Sequence, residues 1–133
     1  MNDEFNLKNI MLKLQKKYMK LIELSNLTNE LSQALKTNDH DSINMIIVMR
    51  ANEMDEIDVI DYEISEILYN LDFKQRNLIM SKKLDKEIEV PNEILKIREI
   101  YDKIRRLLEK IISVDRNMNI RIAGNDSYYN KCK

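Results

Sequence analysis

Hydrophobic residues recur three and four positions apart along nearly the whole chain, the spacing that gathers side chains on one face of an α-helix. The first series predicts a helix over about residues 3–36, with apolar positions at Leu7, Ile10, Leu14, Leu21, Leu24, Leu31 and Leu35. Lys17 and Thr28 interrupt this series. Residues 37–41 are Thr-Asn-Asp-His-Asp. Because these residues favour turns and helix caps, we expect the helix to end near Lys36.

A second helix is predicted over about residues 42–71. Its second half is regular, with apolar residues at Ile57, Ile60, Ile64, Ile67 and Leu71. The first half is irregular, because Arg50 and Glu53 fall where apolar residues are expected. Ile47 and Met54 lie on the adjacent stripe, and we expect them to take over the burial there.

The segment between the second and third helices has two interpretations. Residues 73–83 either extend the second helix or fold back as a separate short element, and the pattern leaves both open. Residues 81–90 are mostly charged and lack a long apolar face, so we expect a solvated connection. Pro91 is the only proline. It fits the first turn of a third helix, where proline is favoured.

The third helix is predicted over about residues 91–123, with apolar positions at Ile94, Ile97, Tyr101, Ile104, Leu108, Ile111, Met118 and Ile122. A second stripe, made of Ile100, Leu107 and Val114, runs beside the first and widens the apolar face. Gly124, the only glycine, follows where a helix C-terminus favours a left-handed residue. A polar tail over residues 124–133 completes the chain.

These helices predict an all-α fold in a single domain over residues 1–133. Helices of about 30 residues are roughly 45 Å long. Three such rods pack well only when nearly aligned. We therefore expect an elongated antiparallel bundle of three long helices, a helical hairpin plus a third helix, with coiled-coil-like packing.

The distribution of charge supports the hairpin. The first helix carries a basic run over residues 8–20, whereas residues 39–72 contain ten acids and one base, Arg50. An antiparallel hairpin places residues 8–20 roughly opposite residues 58–70, so opposite charges face each other. Each such pair contributes only about 0–1 kcal/mol. Their expected effect is on orientation, because like charges across an interface are penalised.

Composition excludes several classes of protein. A single glycine and a single proline are too few for the turns of a compact β-fold. One histidine and one cysteine exclude an internal disulfide and most metal or catalytic clusters, so we expect no catalytic residues, no metal ligands and no cofactor. The net charge of −1 argues against nucleic-acid binding.

Two further features concern location. The opening residues, Met-Asn-Asp-Glu-Phe, are acidic where a signal peptide is basic. The longest unbroken apolar run, Met45 to Met49, is far shorter than the ~20 residues that span a bilayer. We therefore expect a soluble, cytoplasmic protein without membrane insertion.

An acidic ladder is the first candidate for chemistry. Asp55, Asp58 and Asp61 recur every third residue and share one helix face. Carboxylate oxygens are ligands that Mg²⁺ prefers, so the ladder is a candidate metal site. The alternative, which we favour, is a solvated face opposite the apolar stripe.

Two pairs of acids suggest an enzyme. The spacings Glu53-x-x-Glu56 and Glu99-x-x-Asp102 resemble all-helical nucleotide pyrophosphohydrolases of the MazG and dUTPase type. The gap between the two pairs is longer than that pattern has. We therefore expect a protein that is not an enzyme and keep this activity as an alternative.

Methionines are the next candidate. Met45, Met49 and Met54 cluster near the start of the second helix. Methionine is flexible and polarisable, and it is common on surfaces that accept apolar helices. Ordinary filling of the core explains the cluster equally simply, and it is the interpretation we favour.

The third helix offers the better candidate surface for a partner. Its apolar face is wider than two neighbouring helices can cover. The predicted partner-binding residues are Ile100, Leu107, Val114, Ile111 and Met118. An exposed apolar groove on a bundle accepts an amphipathic helix, and a homodimer buries the same stripe equally well.

The region around the first turn resembles a known family. Two stretches are similar to bacterial flagellar export chaperones of the FlgN and FliT type. They are Leu31-Ser-Gln-Ala-Leu-Lys-Thr-Asn-Asp-His-Asp-Ser-Ile43 and the following Ile46-Ile-Val-Met-Arg50. These proteins have a long helix, a short Leu-x-x-Gly/Asn-Asp-x-x-x-Leu turn, and an arginine or glutamate about seven residues into the next helix. Asn38 stands where glycine is frequent in that family.

The resemblance implies binding without catalysis. Such chaperones hold the aggregation-prone helical terminus of a hook–filament junction or filament-cap protein in the cytoplasm and deliver it to a component of the export apparatus. The alternative from another class is a structural coiled-coil oligomerisation protein without a client.

Overall fold

The computed structural model describes the backbone of residues 3–123 and the side chains of residues 3–118. It contains four helices and, within those residues, no strand: α1 (Asp3–Lys36), α2 (His40–Asn70), α3 (Phe73–Met80) and α4 (Asn92–Ala123). The prediction of an all-helical fold is confirmed for this part of the chain. The number of helices differs from the three predicted, because α3 is a separate element. Gly124 and the polar tail lie outside the described residues.

The first helix is the centre of the arrangement. α1 packs along both α2 and α4, whereas α2 and α4 hardly contact each other. Ion pairs fix the relative direction of the first two helices: Lys13 Nζ lies 2.9 Å from Glu63 Oε2, and Lys20 Nζ lies 2.5 Å from Glu56 Oε2. Residue numbers fall along α2 as they rise along α1, so the two helices run in opposite directions.

Apolar side chains from three helices meet on α1. Ile10 and Leu14 of α1 and Ile94 and Ile97 of α4 are all 0% exposed. The larger buried cluster comprises Leu7, Ile10, Leu14, Leu21, Leu24, Ile57, Ile60, Ile64, Leu71, Leu78, Ile79, Ile94, Ile97, Ile104 and Ile111. A smaller cluster near the first turn comprises Leu27, Leu31, Ala34, Ile46 and Met118. Burying a Leu or Ile side chain contributes about 1.5–3 kcal/mol, so these two clusters hold the helices together.

Both residues that interrupt the apolar series of α1 have partners. Thr28 is buried, and its hydroxyl donates a hydrogen bond to the backbone carbonyl of Leu24 at 2.8 Å. Lys17 extends its ammonium group to Asp61 of α2, with Nζ 2.6 Å from Oδ1. A buried polar group is tolerated when it is paired, so neither residue breaks the helix.

Two residues explain the tight first turn. Asn38 has φ 55°, the left-handed conformation that asparagine and glycine adopt more readily than other residues. Asp39 caps α2: its carboxylate accepts hydrogen bonds from the backbone N–H of Ser42 at 3.2 Å and from the Ser42 hydroxyl at 2.7 Å. These bonds hold the pKa of Asp39 below its ordinary value. Since Asp39 is the cap, α2 begins at His40, slightly earlier than the sequence predicts.

The chain breaks after α2 instead of continuing through residues 73–83. Leu71 is extended (ψ 153°) and buried, and α3 then packs against α4. The guanidinium of Arg98 holds the far end of α3 by donating to carbonyl oxygens of Leu78, Ile79 and Ser81 at 2.8, 3.2 and 2.6 Å. Because the last carbonyls of a helix lack partners within the helix, one side chain of α4 completes the end of α3.

Candidate partner-binding surface

The five residues predicted on the third helix fall into two groups. Ile111 and Met118 are 5% and 3% exposed and belong to the two buried clusters. Ile100, Leu107 and Val114 are half-buried and pack against the edges of those clusters. In this structure only these last three reach solvent, so Ile111 and Met118 are core residues.

The methionines of α2 are on the surface. Met45, Met49 and Met54 are 63%, 45% and 40% exposed, so the interpretation as core filling is wrong for these three residues. Ile47, which the sequence predicts as buried together with Met54, is 50% exposed. The first half of α2 therefore has much less burial than its apolar composition suggests.

Polar residues on the inward face explain this exposure. Between Ile46 and Ile57 α2 has no buried residue, and Arg50 lies on the inward side. Its Nη2 donates to both carboxylate oxygens of Asp115 in α4, at 2.8 and 2.9 Å. The Arg50 side chain is only 13% exposed. This two-point ion pair joins α2 to α4 at a position where the sequence predicts an apolar contact. The apolar side chains next to Arg50 in α2 therefore stay exposed to solvent.

Glu53 occupies the next inward position and has an unfavourable environment for a charge. Its side chain is 17% exposed, and Oε2 is buried without a hydrogen-bond partner in the described part of the chain. Burial raises the pKa of the Glu53 carboxyl, and the nearby Glu23 carboxyl raises it further. Lys20 opposes this shift, with Nζ 3.8 Å from Glu53 Oε1. Burial and like charge outweigh the attraction.

We expect Glu53→Gln to raise the melting temperature at pH 7. An acid with a raised pKa in the folded state binds more protons when folded, so the wild type loses stability as pH rises from the ordinary pKa through the raised value. The amide avoids this loss, and the difference between the two proteins shrinks as pH falls toward 4.5. Thermal denaturation at several pH values measures the effect.

The matched control for that change is Glu56→Gln. Glu56 is exposed and forms a close pair with Lys20, so its neutralisation removes an attraction and leaves stability unchanged or slightly lower. Equal stabilisation by both variants contradicts the burial argument, because it points to general relief of acidic repulsion on α2.

Along α2 a continuous line of side chains points away from α1. The positions repeat at alternating intervals of three and four residues, and we call them the outer line of α2: Met45, Val48, Asn52, Asp55, Val59, Tyr62, Glu66 and Tyr69. Its five apolar members are between 59% and 78% exposed. The sequence pattern does not single out this line, because the inward stripe has the same spacing and richer apolar content.

The acidic ladder does not form a cluster. Asp55 and Asp58 are exposed, whereas Asp61 is half-buried and pairs with Lys17. Among the described residues no group of three or more His, Cys, Asp and Glu side chains is placed to hold a metal ion.

The two acidic pairs that suggested a pyrophosphohydrolase belong to different surroundings. Glu53 and Glu56 face Lys20 of α1. Asp102 accepts hydrogen bonds from two arginines of its own helix, which hold the pKa of its carboxyl below the ordinary value. Glu99 is exposed. No shared partner joins the two pairs within the described residues.

Comparison of the chain with models of known protein families, with curated proteins and with solved structures finds no match. None of the described helices is both long and apolar enough to cross a membrane. A function for this chain is therefore inferred from its own residues.

Proposed function

We propose that this chain is a non-catalytic chaperone that holds an amphipathic helix of a client protein, as flagellar export chaperones do. The client is the helical terminus of a hook–filament junction or filament-cap protein, held in the cytoplasm before export. The observation that carries the proposal is the apolar patch of α2, which we define as Met45, Ile47, Val48, Met49 and Met54, all at least 40% exposed.

The patch has the properties of a binding surface for a helix. Its members lie on several sides of α2, and the run from Met45 to Met49 is apolar on every side of the helix. A helix with that composition is normally buried, and here no described element covers it. Methionine supplies three of the five side chains. Its flexibility suits surfaces that adapt to different apolar partners.

The first turn supports the link to export chaperones. Asn38 adopts the left-handed conformation at the position where that family frequently has glycine. Arg50, the residue at the arginine position of the resembling motif, stands about one helical turn after Ile46 and joins α2 to α4 through Asp115. These residues support a common design of the hairpin and leave the identity of the client to experiment.

Binding of a client helix tests this proposal. The full chain is titrated with a fluorescent peptide of the helical terminus of a hook–filament junction or cap protein, and we expect micromolar affinity. Val48→Glu combined with Met49→Glu is expected to weaken binding by at least about tenfold, because it places charge in the apolar interface. Both side chains are exposed, so the circular dichroism spectrum and melting temperature are expected to stay close to wild type.

The matched control is Phe5→Glu combined with Leu12→Glu. These side chains are 60% and 56% exposed on α1, and their replacement is expected to leave the affinity unchanged. Absence of binding by any such peptide overturns the chaperone proposal, and so does an equal loss in both double variants. A stable dimer of the chain alone that Val48→Glu and Met49→Glu dissociate favours the structural coiled-coil alternative.

A further inference from the structure

We infer that the outer line of α2 accepts a basic amphipathic helix, with lysine or arginine side chains opposite Asp55 and Glu66. This inference rests on the proposed function in that it takes the chain to be a helix-binding protein, and it specifies the chemistry of the bound helix.

The spacing of the outer line sets the shape of the partner. Its eight positions run from Met45 to Tyr69 at the three-four alternation of a coiled-coil seam. That distance is roughly 36 Å along the helix axis. The exposed fractions of Val59, Tyr62 and Tyr69 are 59%, 66% and 78%. Large exposed side chains at this spacing match a helix with its own heptad seam better than an extended peptide, whose period is two.

The described part of the chain leaves the outer line uncovered. The buried residues of α2 are Ile46, Ile57, Ile60 and Ile64, which face α1 and α4. The positions of the outer line are offset from the mean direction of these residues by between about a quarter and half a turn. α1, the helix that packs along α2, therefore lies on the opposite side of α2.

Charge decides which helix fits. Four acids of α2 lie within ion-pair distance of three lysines of α1: Glu53, Glu56, Asp61 and Glu63. Asp55, Asp58 and Glu66 form no ion pair with any described residue. Arg50, the only base of α2 besides His40, is turned inward to Asp115. The outer face thus carries negative charge without compensation.

A helix of matching charge gains in two ways. Its cations pair with Asp55 and Glu66, which belong to the outer line of α2. Its apolar seam covers Val59, Tyr62 and Tyr69 of the same line. An acidic helix places like charges across the same contact, which is penalised. The Glu66 carboxylate raises the pKa of Tyr62, which indicates that this carboxylate lies close to the tyrosine hydroxyl.

A second copy of this chain is a poorer occupant. α1 does expose Phe5, Leu12 and Met19 at intervals of seven, with a basic neighbourhood. The intervening seam positions are Lys8 and Gln15, so α1 supplies only half of a heptad seam. Docking α1 of one copy on α2 of another is also head-to-tail, and such contacts propagate into open chains unless a ring closes.

The experiment uses the full chain and two designed helical peptides of four heptads. Both have leucine at the seam, and the flanking positions are lysine in one and glutamate in the other. We expect the basic peptide to bind at least about tenfold more tightly by fluorescence anisotropy. Val59→Ala combined with Tyr62→Ala is expected to weaken its binding about tenfold, because two exposed seam contacts are lost.

Neutralising the acids distinguishes a seam from general attraction. Asp55→Asn combined with Glu66→Gln is expected to reduce the preference for the basic peptide to less than about threefold. Asp85→Asn combined with Glu87→Gln removes the same charge from the exposed connection before α4 and is expected to leave the preference intact. Equal loss in both variants overturns the inference, because it shows unspecific attraction to an acidic protein.

The remaining outcomes separate this inference from the proposed function. If both peptides bind equally well, the chain binds helices without selecting charge, and only the inference fails. If neither designed peptide binds while a client helix does, the outer line is not the docking surface and the chaperone proposal stands. Dimerisation of the free chain that Val59→Ala and Tyr62→Ala abolish overturns the inference in favour of a second copy.

Discussion

Replacing Leu14 with alanine is expected to lower the free energy of unfolding by about 3 kcal/mol. Leu14 is 0% exposed and lies on α1, the helix that packs along both α2 and α4. Truncation removes apolar contacts and leaves a cavity. The neighbouring helices can fill it only by shifting as rigid bodies. Urea denaturation followed by circular dichroism at 222 nm measures the loss.

Leu12→Ala is the matched control. It makes the same chemical change two residues away on the same helix, at a side chain that is 56% exposed. We expect a loss below about 0.5 kcal/mol there. Similar losses at both positions contradict the assignment of the inward face of α1, and with it the arrangement of the whole bundle.

Arg50→Ala is expected to lower the free energy of unfolding by about 2 kcal/mol, because charge-assisted hydrogen bonds in a largely buried setting contribute about 1.5–3 kcal/mol. The change removes both bonds from Arg50 Nη2 and leaves the Asp115 carboxylate without them between α2 and α4. A double-mutant cycle with Asp115→Ala isolates the pair, and we expect a coupling energy above about 1 kcal/mol.

Arg105→Ala provides the comparison. Arg105 also binds an aspartate, Asp102, but it is 65% exposed and both residues lie on α4. Solvent screens such a pair, so its loss costs less than about 0.5 kcal/mol. If Arg50→Ala is equally mild, the contact between α2 and α4 does not depend on the ion pair.

The spacing of hydrophobic residues predicted most of the fold. The helical class and the end of α1 follow from local rules: a regular apolar period and a run of turn-forming residues after Lys36. The pattern does not decide whether α3 is a separate helix, because its boundary is set by Leu71, which turns inward and is buried. That burial depends on contacts with distant residues, and neighbouring residues do not reveal it.

The surface was harder to predict than the fold. In the second half of α2 the apolar spacing identifies the inward stripe, whereas in the first half apolar residues are spread around the helix. The pairs of α1 lysines with Glu63 and Asp61 fix the rotation of α2. Met45 and Met54 therefore lie outside although their spacing suits a core. Arg50 was recognised as an irregularity, but its partner in α4 lies 65 positions away in the chain.

The central position of α1 has a consequence for simultaneous occupancy. α2 and α4 hardly contact each other, and the outer line of α2 faces away from α1. The half-buried stripe of α4, made of Ile100, Leu107 and Val114, borders a different edge of the core. On the proposal that both surfaces bind helices, we expect that a helix docked on one leaves the other free, so two partners are held at once without competition.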